Sequence, residues 1–566
     1  MLAECGIRIG RSTVRLRRFH RWGPISVAVA MGLVLTACQD GGSTSSGSDS
    51  MMINYASGKT VLQRNFNPLI GGSGATQGTR IYMYQSLMGV NVLKGGALEP
   101  WLASGQKLSA DGRTLTVDIN KKATWSDGKP VTADDVAFTY QLVKKTPEIN
   151  TNGISFASVS TQGEKTVVFH FDKPAFTQLS ALLGQYIVPK KYWEGKNPVT
   201  FANPNPVGSG AYTLKRFDPQ QVTLALRDDY WRTNSIQVKE IRLPVVNSAT
   251  EISQLTRGQE DLSGGAIPNL KKEYVDKDPK KNGYFYPTYG SLIVVFNHDR
   301  SALKDVHLRK AVELSIDRNQ LIELVTQLGA NPISQTGLDA ATQGKWLDPA
   351  YKNPVKTDLS AAKSELEKAG YTLSGGKAVK DGKQLTLTYI EVSDFADSVQ
   401  RARIIASQLG KIGIKVKVQA MASGTYTEAR EKGDFDLASY GLAYGSVPWQ
   451  IYNPLLNSQF AGTPKGGKAQ TNNYLRWRDK TTDNLLNELA GTGDEQKQIE
   501  LTRKVEKIIV DQVPFVTLSN ITAGCAWSAR NWTGFPSEND PYAICAPWNG
   551  GPAFENVLAR LKPVKP

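Results

Sequence analysis

The spacing of apolar positions changes part-way along the chain. In the first half it has a period of two. Leu115, Val117 and Ile119 alternate with polar neighbours after an Asp111-Gly112 turn, which predicts a strand with one buried face. Residues 166–171 repeat the signal behind Gln162-Gly163-Glu164, and Ala211 to Phe217 and Val222 to Leu226 flank the turn dipeptide Asp218-Pro219. One helix interrupts these hairpins. Thr132 stands at its N-cap with Asp135 at the capping-box position, and Val136, Tyr140 and Val143 follow on one face. In the second half the period lengthens. Asp305 caps a helix with the stripe Leu308, Ala311, Val312 and Ile316, and Asp358 opens another that stops at Gly370. A third helix carries Val399, Ala402, Ala406 and Leu409, ends at Gly410, and is followed by a strand over Ile414 to Val418. A late helix (Leu501, Val505, Ile508, Ile509) precedes a strand over Phe515 to Leu518. The pattern predicts a mixed α/β protein, with a hairpin-rich part beside an alternating α/β part.

Composition adds bounds. At 566 residues, with 40% hydrophobic and 21% charged positions, the chain is a soluble globular type, long enough for two or three domains. The formal charge of +15 is concentrated in part at the N-terminus: setting aside the six arginines and one acid of residues 1–37 leaves 61 basic against 51 acidic positions. These are interspersed. Lys271, Lys272, Lys277, Lys280 and Lys281, for instance, alternate with Glu273, Asp276 and Asp278. A single-sign stripe or a recognition motif is missing, so no nucleic-acid partner is expected.

Residues 1–37 read as an export signal. Arg8, Arg11, Arg15, Arg17, Arg18 and Arg21 precede an apolar run from Ile25 to Leu35, too short for a spanning helix of about 20 residues. Leu35-Thr36-Ala37-Cys38 then resembles the bacterial lipobox, which implies cleavage before Cys38, its lipidation, and anchorage to the outer face of the cytoplasmic membrane. The Gly/Ser-rich stretch from 38 to 50 reads as a flexible tether. With Cys5 in the signal and Cys38 acylated, Cys525 and Cys545 remain in an oxidising compartment. They are expected to form one disulfide, the alternative being two free buried thiols.

Catalytic signatures do not assemble. Of the histidines beyond the signal, His170 lies in a strand pattern and His307 at a helix start, and His298 has no partner motif; none has the setting of a base. Gly462 to Ala469 approaches a phosphate loop, but Ala469 stands where a hydroxyl would hold Mg²⁺. The pairs Ser104/Lys107, Ser126/Lys129 and Ser374/Lys377 sit in turn-like contexts without a Lys-Thr-Gly partner, and Asp134-Asp135 is explained by helix capping. Neither an enzyme nor a metal or other cofactor is expected.

Several segments together are similar to one family. Leu98 to Ala103 with Leu108 to Thr114 resembles the opening strand and hairpin of the family 5 extracellular solute-binding proteins, the peptide-binding class that serves ABC importers. Trp125-Ser126-Asp127-Gly128-Lys129-Pro130-Val131-Thr132-Ala133-Asp134-Asp135-Val136 resembles its most recognisable stretch. Pro206 to Tyr212, Asp228-Asp229-Tyr230-Trp231, Leu308 to Ala311 and Ile316-Asp317-Arg318 follow in the expected order. The resemblance implies a two-lobed periplasmic-binding-protein type II fold. In it, residues 51–285 form lobe I, with an extra hairpin-rich subdomain over about 85–205, residues 286–510 form lobe II, and residues 511–566 return to lobe I. It implies a monomeric receptor that closes on its ligand and delivers it to an ABC permease.

One departure bears on the ligand. Peptide-binding relatives follow an Asp-Phe-Asp-Leu strand with an aspartate that pairs with the peptide's α-ammonium. Here, after Asp434 to Leu437, the spacing puts Gly445 at that place. Aromatic side chains cluster nearby instead, so Tyr444, Gly445, Trp449 and Tyr452, with Trp548 near the C-terminus, form the expected ligand-binding set. An oligopeptide is the expected ligand. An oligosaccharide in the same receptor role is the alternative, and a non-transport cell-envelope or regulatory protein on this scaffold is a third reading.

Overall fold

A computed structural model describes residues 49–565, apart from 56–60, 71–77, 151–152, 247–249, 266, 268, 326–328, 394, 464–466, 470–472 and 550. The signal segment, Cys38 and all but the last two tether residues lie outside the described residues.

Two sheets organise the chain. The first has seven strands, in the order Asn282–Phe285, Cys525–Ser528, Leu262–Ser263, Ser50–Asn54, Glu240–Pro244, Gln221–Leu226 and Tyr212–Asp218. Its central strand Ser50–Asn54 runs parallel to both neighbours. The second has five strands, Lys415–Met421, Thr386–Val392, Leu437–Ala443, Thr288–Phe296 and Phe515–Thr522. In Thr288–Phe296 the run Leu292 to Phe296 shows no alternation because both faces are covered. Ile293 and Val295 pack into one apolar cluster of the second lobe, Val294 and Phe296 into the other. The expected hairpin-rich part is a four-stranded sheet, Ala103–Leu108, Thr114–Ile119, Thr166–His170 and Ser158–Thr161, against which the helix Ala133–Lys145 packs. The expected helices of the second half are Val306–Ser315, Leu359–Lys368, Ala396–Gly410 and Glu495–Gln512. Gly410 stays inside its helix; the chain reverses at Gly413, whose φ of +83° suits glycine.

The chain passes between the sheets at Tyr286-Pro287 and again at Ala523-Gly524. The second passage therefore lies one strand later than residue 511. The helix Glu495–Gln512 does not close the lobe, because Phe515–Thr522 pairs with Thr288–Phe296 before the chain returns.

The sequence signatures prove to be joints of the frame. Asp135 closes the capping box with Thr132 and also accepts from Trp125 Nε1 (3.1 Å) and Lys190 N (2.9 Å), fixing a loop, a helix start and a later turn at one carboxylate. Gly208 and Gly210 are required by close approach: a Cβ would lie 1.9 Å from Met83 O and 2.2 Å from Tyr82 O respectively. Arg309 is buried and donates to the carbonyls of Gln512, Val513, Leu303 and Lys304, capping the helix Glu495–Gln512. Arg318 donates to Thr517 O, Ile316 O and Val355 O.

Candidate functional site

The carboxyl ends of parallel strands in an open sheet are where ligands bind. Ser50–Asn54 and Leu262–Ser263 end side by side, Gly264 N donating to Asn54 O at 2.8 Å. Glu251 sits beneath them. It accepts from Asn54 Nδ2 (2.9 Å) and from Ser263 Oγ, and burial raises its pKa against those two hydrogen bonds. Trp548 Nε1 donates to Gly264 O at 3.2 Å, and a Cβ at Gly264 would come within 2.5 Å of Pro547 Cδ, so only glycine lets this segment settle there. Tyr289, at the start of the strand Thr288–Phe296 of the second lobe, meets Trp548 edge-on with centroids 6.1 Å apart. Its carbonyl accepts from Tyr444 N at 3.0 Å, which brings Gly445 to the same junction. Tyr186 is in electrostatic range of Tyr289, and the Arg80 guanidinium lies 4.7 Å from the Tyr186 ring centroid. Burial raises the pKa of Tyr289, and neighbouring Tyr186 adds to the rise.

The sulfurs of Cys525 and Cys545 are joined, with Cα atoms 5.5 Å apart. This bond ties the segment carrying Trp548 to the strand that begins just after the second passage between lobes.

Of the residues expected at the site, Trp548 and Gly445 are brought together around Tyr289. Three others belong to the packing of the second lobe. The Tyr444 ring is buried and its hydroxyl donates to Gly337 O (3.1 Å); Tyr452 is fully buried and donates to Thr336 O (3.1 Å). Trp449 Nε1 donates to Leu486 O at 2.9 Å. The reason is that Trp449–Leu456 is an amphipathic helix whose apolar face seats in that lobe's core, and an aromatic cluster in sequence does not tell a cleft wall from a core helix. Tyr289, Tyr186 and Gln450 were not foreseen. Gln450 fills the space beside Gly445: a Cβ at 445 would lie 1.7 Å from Gln450 Oε1, which accepts from Ser446 N at 2.7 Å. An uncharged amide therefore stands at the place expected for a carboxylate.

Two surface concavities, of about 360 Å³ beside Lys215, Lys239 and Arg242 and about 330 Å³ beside Ile499 and Arg503, lie away from this junction. They are lined by charges that largely pair with one another. Among the described residues no group of three acidic, histidine or cysteine side chains is arranged to hold a metal ion.

The model for bacterial extracellular solute-binding proteins, family 5 (middle region), matches residues 97–462. The chain belongs to that family. Family 5 members are substrate-binding components of transport systems and not enzymes, which agrees with the missing catalytic signatures. An oligopeptide-binding protein of Bacillus subtilis is 26% identical over 534 residues, covering 87% of this chain and 93% of the relative. The oligopeptide-binding protein of a Thermotoga maritima ABC transporter has the same fold, with a TM-score of 0.79 at 23% identity over 91% of this chain and 99% of its own. Its mannohexaose-bound structure gives 0.77, with 91% and 98% covered. A second B. subtilis oligopeptide-binding protein, in complex with a nonapeptide, gives 0.72 at 19% identity, with 91% and 99% covered. The two-lobed mixed α/β family fold expected from the sequence is thus the fold of the chain. Among the described residues no helix is long and apolar enough to cross a membrane.

Proposed function

We propose that this protein captures an oligopeptide at the junction of its lobes and passes it to an ABC permease, as a monomeric lipoprotein held to the outer face of the cytoplasmic membrane through Cys38. Membership of family 5 and the peptide ligands named for its relatives support the transport role. The observation that carries the ligand reading is the pairing of an aromatic corner, Trp548 and Tyr289, with the uncharged Gly445–Gln450 wall. Such a wall suits an extended peptide held by backbone hydrogen bonds and ring contacts rather than by its terminal charge. A buried ammonium salt bridge, where one exists, is worth about 3–5 kcal/mol on loss of a partner, or roughly two to three and a half orders of magnitude in affinity. Titration calorimetry with matched free and N-acetylated oligopeptides is expected to give affinities within a few-fold of each other. Abolition of binding by acetylation would mean that another carboxylate receives the ammonium.

The oligosaccharide reading has one feature in its favour. An aromatic ring, Trp548, beside a neutral polar wall also suits a sugar ring, and a relative with this fold is named with a bound mannohexaose. Silence from both peptide forms, with binding of a β-linked oligosaccharide in the same calorimeter, would put that reading first.

Anchorage is tested separately. Cys38→Ala is expected to move the protein from the membrane fraction to the soluble one, or to leave an uncleaved precursor. Membrane retention with a processed N-terminus would refute lipidation at Cys38.

A further inference from the structure

The lobes touch through more than the two chain passages. Gln450, in the second lobe, donates from Nε2 to Thr177 O at 3.2 Å and to Ser180 Oγ in the first, and Ser446 Oγ lies 3.3 Å from the same Ser180 hydroxyl. Next along the seam, the Phe176 ring lies between Gly112 of its own lobe and Gly493 of the other. A Cβ at Gly493 would come within 2.7 Å of that ring. On the other flank, Gly96 has φ +85°, and a Cβ there would lie 2.5 Å from Ser446 Cα and 2.7 Å from Gly445 O. Val92, in the same turn region, is 3% exposed and packs with Leu442, Tyr444 and Ile451 of the second lobe. Three glycines and one amide thus allow two surfaces, remote in sequence, to approach closely at these points.

We propose that Gln450 is a positioning residue that latches the lobes together. Its amide carbonyl holds the Ser446 backbone and fills the volume a side chain at 445 would need, while its amide nitrogen grips the Thr177–Ser180 turn. The two roles use the two ends of one amide, so the wall of the site and the closure of the lobes are set by the same group. Closure is then stabilised by the protein's own neutral hydrogen bonds, and the closed form is populated before any ligand arrives. A ligand shifts the open–closed balance only by its differential affinity, so a pre-closed receptor binds with a smaller conformational penalty. The side chain is matched to this work. Glutamate at 450 would keep the acceptor for Ser446 N but would present an acceptor to Thr177 O in place of a donor, and alanine would remove both contacts.

The test uses the full-length protein with no ligand added, so its outcome does not depend on what the site binds. Nitroxide labels at Lys145→Cys and Glu367→Cys, on exposed helical positions of the two lobes, report the interlobe distance by pulsed electron resonance. The parent is expected to show a dominant short-distance population. Gln450→Ala, Gln450→Glu and Gly493→Leu should each lower the ratio of short to long distances, on the order of tenfold for the loss of two hydrogen bonds, with unchanged far-UV circular dichroism. Distance distributions that coincide in the parent and all three variants would overturn the latch.

Discussion

Replacing Arg227 with methionine is expected to destabilise the first lobe by about 3–5 kcal/mol, because several buried carbonyls lose their donor at about 1–3 kcal/mol each. Arg227 is 5% exposed, and its guanidinium joins three stretches that are far apart in sequence. Nη1 donates to Thr124 O (3.2 Å), Gly208 O (3.4 Å) and Gly210 O (3.2 Å). Nη2 donates to Trp125 O (2.9 Å) and Thr124 Oγ1 (2.8 Å). Nε and Nη2 each reach one oxygen of Asp229 at 2.9 Å, and these contacts hold the Asp229 pKa below its ordinary value. Methionine fills similar space but leaves those carbonyls without their donor. Lysine should recover only part of the loss, because a single ammonium cannot reproduce the planar fork. Arg216 is the control. Its own side chain is 69% exposed, so Arg216→Met should change stability by less than about 1 kcal/mol. Urea unfolding of the three variants and the parent measures all of this. Arg227→Met within 1 kcal/mol of the parent would show that the neighbouring backbone holds the joint without the guanidinium.

Arg227 also illustrates what could and could not be read in advance. The segments it joins, Trp125 to Val136, Pro206 to Tyr212 and Asp228 to Trp231, carry the family resemblance, because turn glycines, caps and buried joints demand particular residue types at particular spacings. The fold was therefore legible: the capping box at Thr132 and Asp135, the helix starts at Asp305 and Asp358 and the alternating strands are local chemistry. The site was legible only in part. Gly445 could be located because it lies a fixed distance along from a recognisable strand, and Trp548 because it follows a distinctive turn segment. Tyr444, Trp449 and Tyr452 hydrogen-bond within the second lobe, and an aromatic residue at the end of a strand or the start of a helix has the same local pattern whether it faces a ligand or its own core. Tyr289, Gln450 and Ser180 gave no local sign at all. Their roles come from contacts between lobes, and Ser180 and Gln450 are 270 residues apart.

Stability should fall as pH rises from 7 to 8.5, and Glu260→Gln should largely remove the fall. Glu260 is 1% exposed in the first lobe, beside Glu251 and Asp261. Burial, then the charges of those two neighbours, raises its pKa to about 9, while Asn54 pulls weakly the other way. A carboxyl with a raised native pKa keeps its proton after the unfolded chain has released one near its ordinary value of about 4.3. Between those two values the native state binds more protons, so stability declines with pH at up to about 1.4 kcal/mol per unit. Below the lower value both states are protonated and the effect vanishes; above about 9 both are ionised and the full cost remains. The window isolates Glu260 from most of its companions. Asp261 is raised to about 6, Glu313 and Glu506 to about 7, and buried His298 is lowered to about 3, so these groups have largely finished titrating in the native state by pH 8. Across 1.5 pH units the parent should lose roughly 2 kcal/mol that Glu260→Gln does not. The glutamine is close in shape to the protonated acid, so it can occupy the same buried space at every pH. Thermal unfolding of both proteins at half-unit pH intervals gives the two slopes. Parallel curves would mean that Glu260 is ionised in the native protein at neutral pH, with an interaction that offsets its burial.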